Sequence, residues 1–224
     1  PLVVVSPLLG FQFELGTDYF YVTDLSNRPE SRENSAYVRA LATVGDELTF
    51  RLINDFEYVP TTFFLPRAVP IAPGNYSWNN FDVRLRTFDG RLVSIDLQLI
   101  CCSFYNGTSI HPRLRLAYRP NAYFEFIPTY DLTMIDLPTG DVDIHLFTID
   151  SIVNFVPDMQ MALQMQYDNI SGNIGFSARY RWEYQPGNEL FVALGQAGQL
   201  ITNPNRFFAH TSLLSIRLGQ TFRF

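Results

Sequence analysis

No stretch of this 224-residue chain approaches the 18 or so consecutive apolar residues of a membrane helix, which excludes an α-helical span. Cysteine is nearly absent. The two present, Cys101 and Cys102, are adjacent, and neighbouring cysteines rarely pair with each other, so neither a disulfide framework nor a metal site is expected. Lysine is missing altogether: all 16 basic residues are arginine, set against 22 carboxylates for a net charge of −6. That balance argues against nucleic acid as a partner. The three histidines, His111, His145 and His210, fall in different predicted strands without a serine or cysteine motif beside them, which argues against a catalytic triad. The chain opens at Pro1 with no methionine and no signal peptide; the expectation is a mature, trimmed or partial chain.

What the chain has in quantity is alternation. Apolar residues make up 47% of it and aromatics 15%, yet the mean hydropathy is +0.01. An ordinary soluble protein shares that average, so the pattern must decide. Counting back in twos from the terminus, Phe224, Phe222, Gln220, Leu218, Ile216, Leu214, Ser212, His210 and Phe208 share one strand face, while Arg223, Thr221, Gly219, Arg217, Ser215, Leu213 and Thr211 share the other. An apolar face backed by a polar, arginine-bearing one is the pattern of transmembrane β-barrels. The ending also resembles the terminal aromatic strand by which bacterial outer-membrane barrels are recognised for assembly, with Gln220 where that signal prefers an apolar residue. Alone, this strand fits the end of a soluble sandwich equally well.

Upstream, alternation predicts strands over Leu9–Leu15, Tyr19–Asp24, Ala36–Val44, Leu48–Glu57, Asn80–Thr87, Leu92–Tyr105, Ile110–Tyr118, Ala122–Leu132, Ile144–Phe155, Met159–Tyr167, Asn173–Tyr184 and Leu190–Ala197, and no helix. Asp89-Gly90 and Asn106-Gly107 are hairpin signals. Two regularities then separate barrel from sandwich. Short turns near 17, 46, 89, 120, 157 and 187 alternate with the connections 25–34, 58–78, 106–109, 133–143, 168–172 and 198–205, as periplasmic turns alternate with outer loops. A Greek key would not keep that order. Aromatics on the apolar faces also gather at strand ends. Tyr118, Phe124, Phe155, Trp182, Tyr184, Phe222 and Phe224 lie beside short turns or the terminus, and Tyr105, Tyr130, Tyr167 and Phe208 lie at the opposite ends, as in the two interfacial girdles of a barrel.

The expected fold is therefore all-β: an antiparallel up-and-down transmembrane β-barrel occupying residues 1–224 without a separate soluble domain, with about 13–14 strands, since such barrels have even strand numbers. Leu2–Ser6 would supply the fourteenth. The expected location is the bacterial outer membrane, with lipid and the barrel-assembly machinery as partners, and the chain is expected to be the C-terminal part of a larger barrel.

The second half carries more specific marks. YNGT, RLRLAYRPN, IDLPTGD, the run QYDNISGNIGFSARYRWEYQPGNELFV and the terminal TFRF resemble the barrel of the bacterial outer-membrane family called domain of unknown function 5916. Upstream, IAPGNY resembles that family's IPxGxY element, with Ala72 in place of proline. The likeness runs over roughly residues 45–224 and is strongest after 160. It implies location and architecture. Members of that family carry an amino-terminal domain similar to family 9 carbohydrate-binding modules, and further strands; the family supplies no catalytic residues.

No cofactor or enzymatic activity is expected. Asp136, Asp141, Asp143 and His145 bunch around a predicted loop and would offer calcium oxygen ligands, but their spacing matches no calcium loop and reads better as solvated carboxylates. Glu125 and Asp131 would suit glycoside hydrolysis, but read better as partners of arginines. The informative set is the polar face. Arg39, Arg51, Arg84, Arg86, Arg113, Arg115, Arg179, Arg181, Arg217 and Arg223 share it with Glu14, Asp55, Asp82, Asp96, Glu125, Asp131, Asp150 and Glu183. These residues are predicted to line a lumen, laced by ion pairs between neighbouring strands or forming a charge-selective path. Three functions follow as expectations: passage or capture of a solute, glycan-related among the candidates; anchoring of an envelope domain; or ligand binding by a soluble sandwich.

Overall fold

The structure is a computed structural model and describes residues 2–6, 10–202 and 205–221. Phe222, Arg223 and Phe224 of the terminal strand lie outside the described residues, as do the connection residues 203 and 204. In order, the strands are β1 (Leu2–Ser6), β2 (Phe11–Thr23), β3 (Pro29–Ala42), β4 (Glu47–Val59), β5 (Phe63–Leu65), β6 (Val69–Ile71), β7 (Gly74–Arg86), β8 (Val93–Phe104), β9 (Gly107–Asn121), β10 (Phe124–Leu137), β11 (Gly140–Val156), β12 (Met159–Asp168), β13 (Asn173–Gln185), β14 (Asn188–Thr202) and β15 (Asn205–Gly219). One 3-10 turn, Pro66–Ala68, separates β5 from β6. Thirteen strands form one sheet in chain order from β1 to β15, and β5 pairs with β6 apart from it. The up-and-down antiparallel order that alternation predicts is thus present, with no crossover. Among the described residues no ladder joins β1 to β15.

The strand bounds differ from the predicted ones in a consistent way. Gly16–Asp18 is not a turn: β2 runs through it, and each residue pairs with β3, Gly16 opposite Tyr37. The glycine is there for space. A Cβ on Gly16 would sit 2.3 Å from the Tyr37 ring. The segments 29–34, 133–137, 140–143 and 198–202, read as loops from their polarity, are strand. Polar residues break up the alternation in these segments and defeat a hydropathy reading, but not a backbone ladder, which needs only paired N–H and C=O groups. The structure also bonds Cys101 to Cys102, against expectation. In a regular strand their side chains would point to opposite faces, but Cys102 has φ 135°, which breaks the alternation there.

The chain divides into two compact units, Pro1–Asp89 with Ile95–Leu114 and Asp131–Ile144, and Gly90–Ser94 with Arg115–Tyr130 and His145–Phe224. In the first unit, register fixes two faces. Leu15, Val38, Phe50, Val83 and Leu99 form one row across β2, β3, β4, β7 and β8. The adjoining row on the opposite face is Gly16, Tyr37, Arg51, Asp82 and Ile100. The apolar row is the exposed one: Phe50 is 52% and Leu52 56% accessible, whereas the side chains of Glu47 and Asp96 on the polar face are 15% and 16% accessible. A sheet folded for water has the reverse arrangement.

The buried apolar cluster of this unit lies at one end of the strands. Val59, Val69, Ile71, Ile135, Leu137 and Val142 pack together, with Phe63, Leu65, Tyr76, Phe104, Tyr105 and Ile144 around them. The proline-rich connection predicted over 58–78 is shorter, since β4 runs to Val59 and β7 starts at Gly74, and between them it folds as the β5–β6 hairpin, which seats on strand ends. Thr139 donates its hydroxyl to the Pro70 carbonyl at 3.1 Å. Tyr105, in the β8–β9 connection, packs edge-on to Tyr76 and Phe104 at 5.0 and 4.7 Å and donates to Glu57 at 2.6 Å. Burial, and then that bond to a carboxylate, pushes its phenol well above the ordinary tyrosine range.

In the second unit the predicted facing of β12 and β13 agrees with the register. Met161 pairs with Tyr180, Leu163 with Ala178 and Met165 with Phe176, while Gln160 pairs with Arg181 and Gln164 with Ser177 on the other face. Leu190, Val192 and Leu194 of β14 continue the apolar face onto Leu218, Ile216 and Leu214 of β15. A register shift at Ala197/Gly198 then places Phe208 opposite Gln199, and so moves Phe208 off the apolar line on which simple counting puts it.

Candidate functional site

The polar face is a ladder of charges held between strands. In the first unit, Arg39 reaches Glu14 at 3.3 Å and Glu47 at 3.5 Å, and Arg86 reaches the other oxygen of Glu47 at 3.0 Å. Arg84 binds Asp96 through two nitrogens, the fork geometry that makes arginine–carboxylate pairs strong. Asp82, opposite Arg51 in the register, accepts from Gln98 instead. Arg51 is the loosest member: its nearest carboxylate, Asp18, is 3.9 Å away. It stacks over the Tyr37 ring at 5.4 Å, and Arg39 approaches the same ring at 5.7 Å. Tyr37 donates to Glu14, which fixes the ring over Gly16. Asp131 holds His111 and, at 3.6 Å, Arg113.

The second unit repeats the design. Arg119 pairs with Glu125 at 2.6 Å and donates to Ser94. Glu189 sits between Arg181, at 3.1 Å, and Arg217, and Glu183 takes a second contact from Arg181. Asp150 accepts from Gln164 at 3.0 Å. Nearly all these contacts join neighbouring strands; Arg51 with Asp18 spans one strand further.

Two predicted members have no ion pair or hydrogen bond among the described residues: Arg115 and Arg179. Arg179 is the more open. It lies between Ala162 of β12 and Ala193 of β14 in the register, so its neighbours across both ladders are too small to cover it. Arg223 lies outside the described residues. Glu47 and Glu189, two carboxylates that each bridge two arginines, were not in the predicted set. Both are first or second residues of a strand beside a short turn, where hydropathy reads turn. Counting by twos from Arg51 and from Phe191, which faces Arg181, would have found them.

Of the predicted girdle aromatics, Tyr105 packs instead in the buried cluster on Tyr76 and Phe208 leaves the apolar line at the register shift. In the second unit, Tyr118, Tyr130, Trp182 and Tyr184 are exposed, and Trp182 and Tyr184 meet edge to face at 5.9 Å. Tyr167, half-buried, pairs with Phe147 and Ile174. Tyr130 shares a 2.7 Å hydrogen bond with His145 Nδ1. Phe222 and Phe224 lie outside the described residues. Tyr19 and Tyr21 of the first unit, which were not predicted, stack at 6.0 Å. Among the described residues, no three histidine, cysteine or carboxylate groups converge as metal ligands.

No family model, curated protein or solved structure matches the chain.

Proposed function

We propose that the chain is membrane-spanning sheet of a bacterial outer-membrane β-barrel, whose polar face borders a water-filled path for small solutes with a mild preference for anions. One observation carries the reading. The hydropathy of both faces inverts at one level along the same strands. On β7, the apolar face reads Leu85, Val83, Phe81 and then Asn79, Ser77, Asn75; the polar face reads Arg86, Arg84, Asp82, Asn80 and then Trp78, Tyr76. On β10, Ile135 and Leu137 follow Asp131 on one face while Asp136 stands on the other. Beyond the level of Asn80 the sheet is built as a water-soluble protein is, with its apolar side covered by the β5–β6 hairpin. Below that level it is built inside out. Each Leu or Phe left in water forgoes about 1.5–3 kcal/mol of burial, so a face of such rows needs lipid against it. The strands of the sheet after β1 have 10–17 residues, against about 9–11 needed to cross, and most therefore project beyond the bilayer. The resemblance to domain of unknown function 5916 supports the same reading.

The path follows from the pairs. Ion pairs that run along a wall leave its middle to water, and the arginines without a partner, Arg115 and Arg179, add positive potential to it. The β5–β6 hairpin seats on the polar-face side of the strand ends of the first unit. The protein reconstituted in planar bilayers should conduct, and Arg179→Ala should lower its anion-to-cation permeability ratio. Arg181→Ala should change it less, since Arg181 is already neutralised by Glu189 and Glu183. No conductance at all would make the sheet an anchor, and selectivity unmoved by Arg179→Ala would remove the arginines from the path.

A further inference from the structure

We infer that the rim of the first unit binds the phosphate of a lipid headgroup, with Arg32 as the cation that holds it; the inference rests on the membrane reading above. Along β3 the apolar face passes from Val38 and Ala36 to Asn34 and then Arg32. Asn34 lies in a row with Tyr19, Asn54 and Asn79, one residue from each of four neighbouring strands. The amides form a chain: Asn34 donates to Asn54 at 3.5 Å, and Asn54 donates to Asn79 at 2.9 Å. This row meets the apolar rows directly, Asn54 two residues from Leu52 and Asn79 two from Phe81, so it marks the level where hydrocarbon ends.

Arg32 stands one step further out, about 7 Å along the strand, which is where lipid phosphates lie. Its register neighbours are Tyr21 and Phe56, and its guanidinium rests 5.6 Å from the centre of the Phe56 ring. It makes no ion pair or hydrogen bond among the described residues, and its Nε is buried without a partner. Glu30, two residues away on β3, falls at the register shift between Ser31 and Pro29. By contrast Arg28, in the nearby β2–β3 connection, is ion-paired to Asp24 at 2.7 Å. An unpaired guanidinium fixed on an aromatic ring, just above a polar row and beside two stacked tyrosines, is built to take an anion from the lipid side. The end concerned carries the β5–β6 excursion, the longest connection among the described strands although turns of two residues stand at the same end; outer loops are the long ones in such barrels, so the lipid is that of the outer leaflet, a phosphorylated glycolipid.

The test is native mass spectrometry of the detergent-purified protein titrated with lipid A and with dephosphorylated lipid A. The parent should retain lipid A at least tenfold more tightly than the dephosphorylated form. Arg32→Gln should erase that difference, Arg32→Lys should restore most of it, and Arg28→Gln should leave it unchanged. Equal retention of the two lipids by the parent, or a preference that survives Arg32→Gln, would overturn the inference. Failure of the protein to enter lipid vesicles would instead contradict the membrane reading itself.

Discussion

Leu163→Arg should destabilise the protein in lipid by about 2–4 kcal/mol, the cost of a cation on the lipid face at the bilayer midplane, whereas Gln164→Arg should cost far less. The two residues are neighbours, yet the register separates them. Leu163 pairs with Ser151 and Ala178, in the middle of a face that runs from Met159 to Tyr167. Gln164 pairs with Asp150 and Ser177. An arginine at 163 must displace lipid contacts or bend toward an interface. At 164 it meets water and the carboxylate of Asp150, which now accepts from the glutamine. Refolding titrations into vesicles measure both, and equal costs would show that the two faces are wrongly assigned.

Gly107→Ala should be about as damaging, at the upper end of the roughly 1–3 kcal/mol that overpacking costs. Gly107 opens β9 with no unusual φ, so its need is for space. A Cβ there would lie 2.1 Å from the backbone carbonyl oxygen of Asp136 and 2.8 Å from a methyl of Leu137. Leu137 belongs to the cluster on which the β5–β6 hairpin seats, and a backbone oxygen cannot rotate away as a side chain can. The strand end must move, and the hairpin must move with it. Gly175→Ala is the control: a Cβ there meets nothing within 4 Å, so its effect should stay within about 0.5 kcal/mol. A similar loss in both variants would mean that strand propensity, not the close approach, governs Gly107.

Asn106-Gly107 also illustrates what the sequence could and could not disclose. The pair correctly marks a hairpin, but the left-handed residue of that connection is Tyr105, with φ 50°, and the glycine serves a contact with a strand that is distant in the chain. Local turn chemistry is legible; contacts over thirty residues are not. The same division holds elsewhere. Facing on β12 and β13 was legible because apolar and polar residues alternate there and the register between the two strands runs without interruption. It failed for Phe208, where one register shift displaces every residue beyond it. The strand extensions 133–137 and 140–143 were invisible because their few apolar residues, Ile135, Leu137 and Val142, are buried by the β5–β6 hairpin, a contact distant in the chain. The charged residues were legible as a face, but not as pairs. That Glu47 and Glu189 each bridge two arginines depends on which strands are neighbours, as does the isolation of Arg179 between Ala162 and Ala193.

The account rests on lipid against one face and water against the other. Spin labels placed singly at residues 163 and 164, in a background without Cys101 and Cys102, report this directly once the protein is in liposomes. The label at 163 should be relaxed by oxygen and shielded from a water-soluble nickel chelate, and the label at 164 should show the opposite. Nickel access at both positions would mean that the Leu163 face meets water, which the proposed barrel forbids.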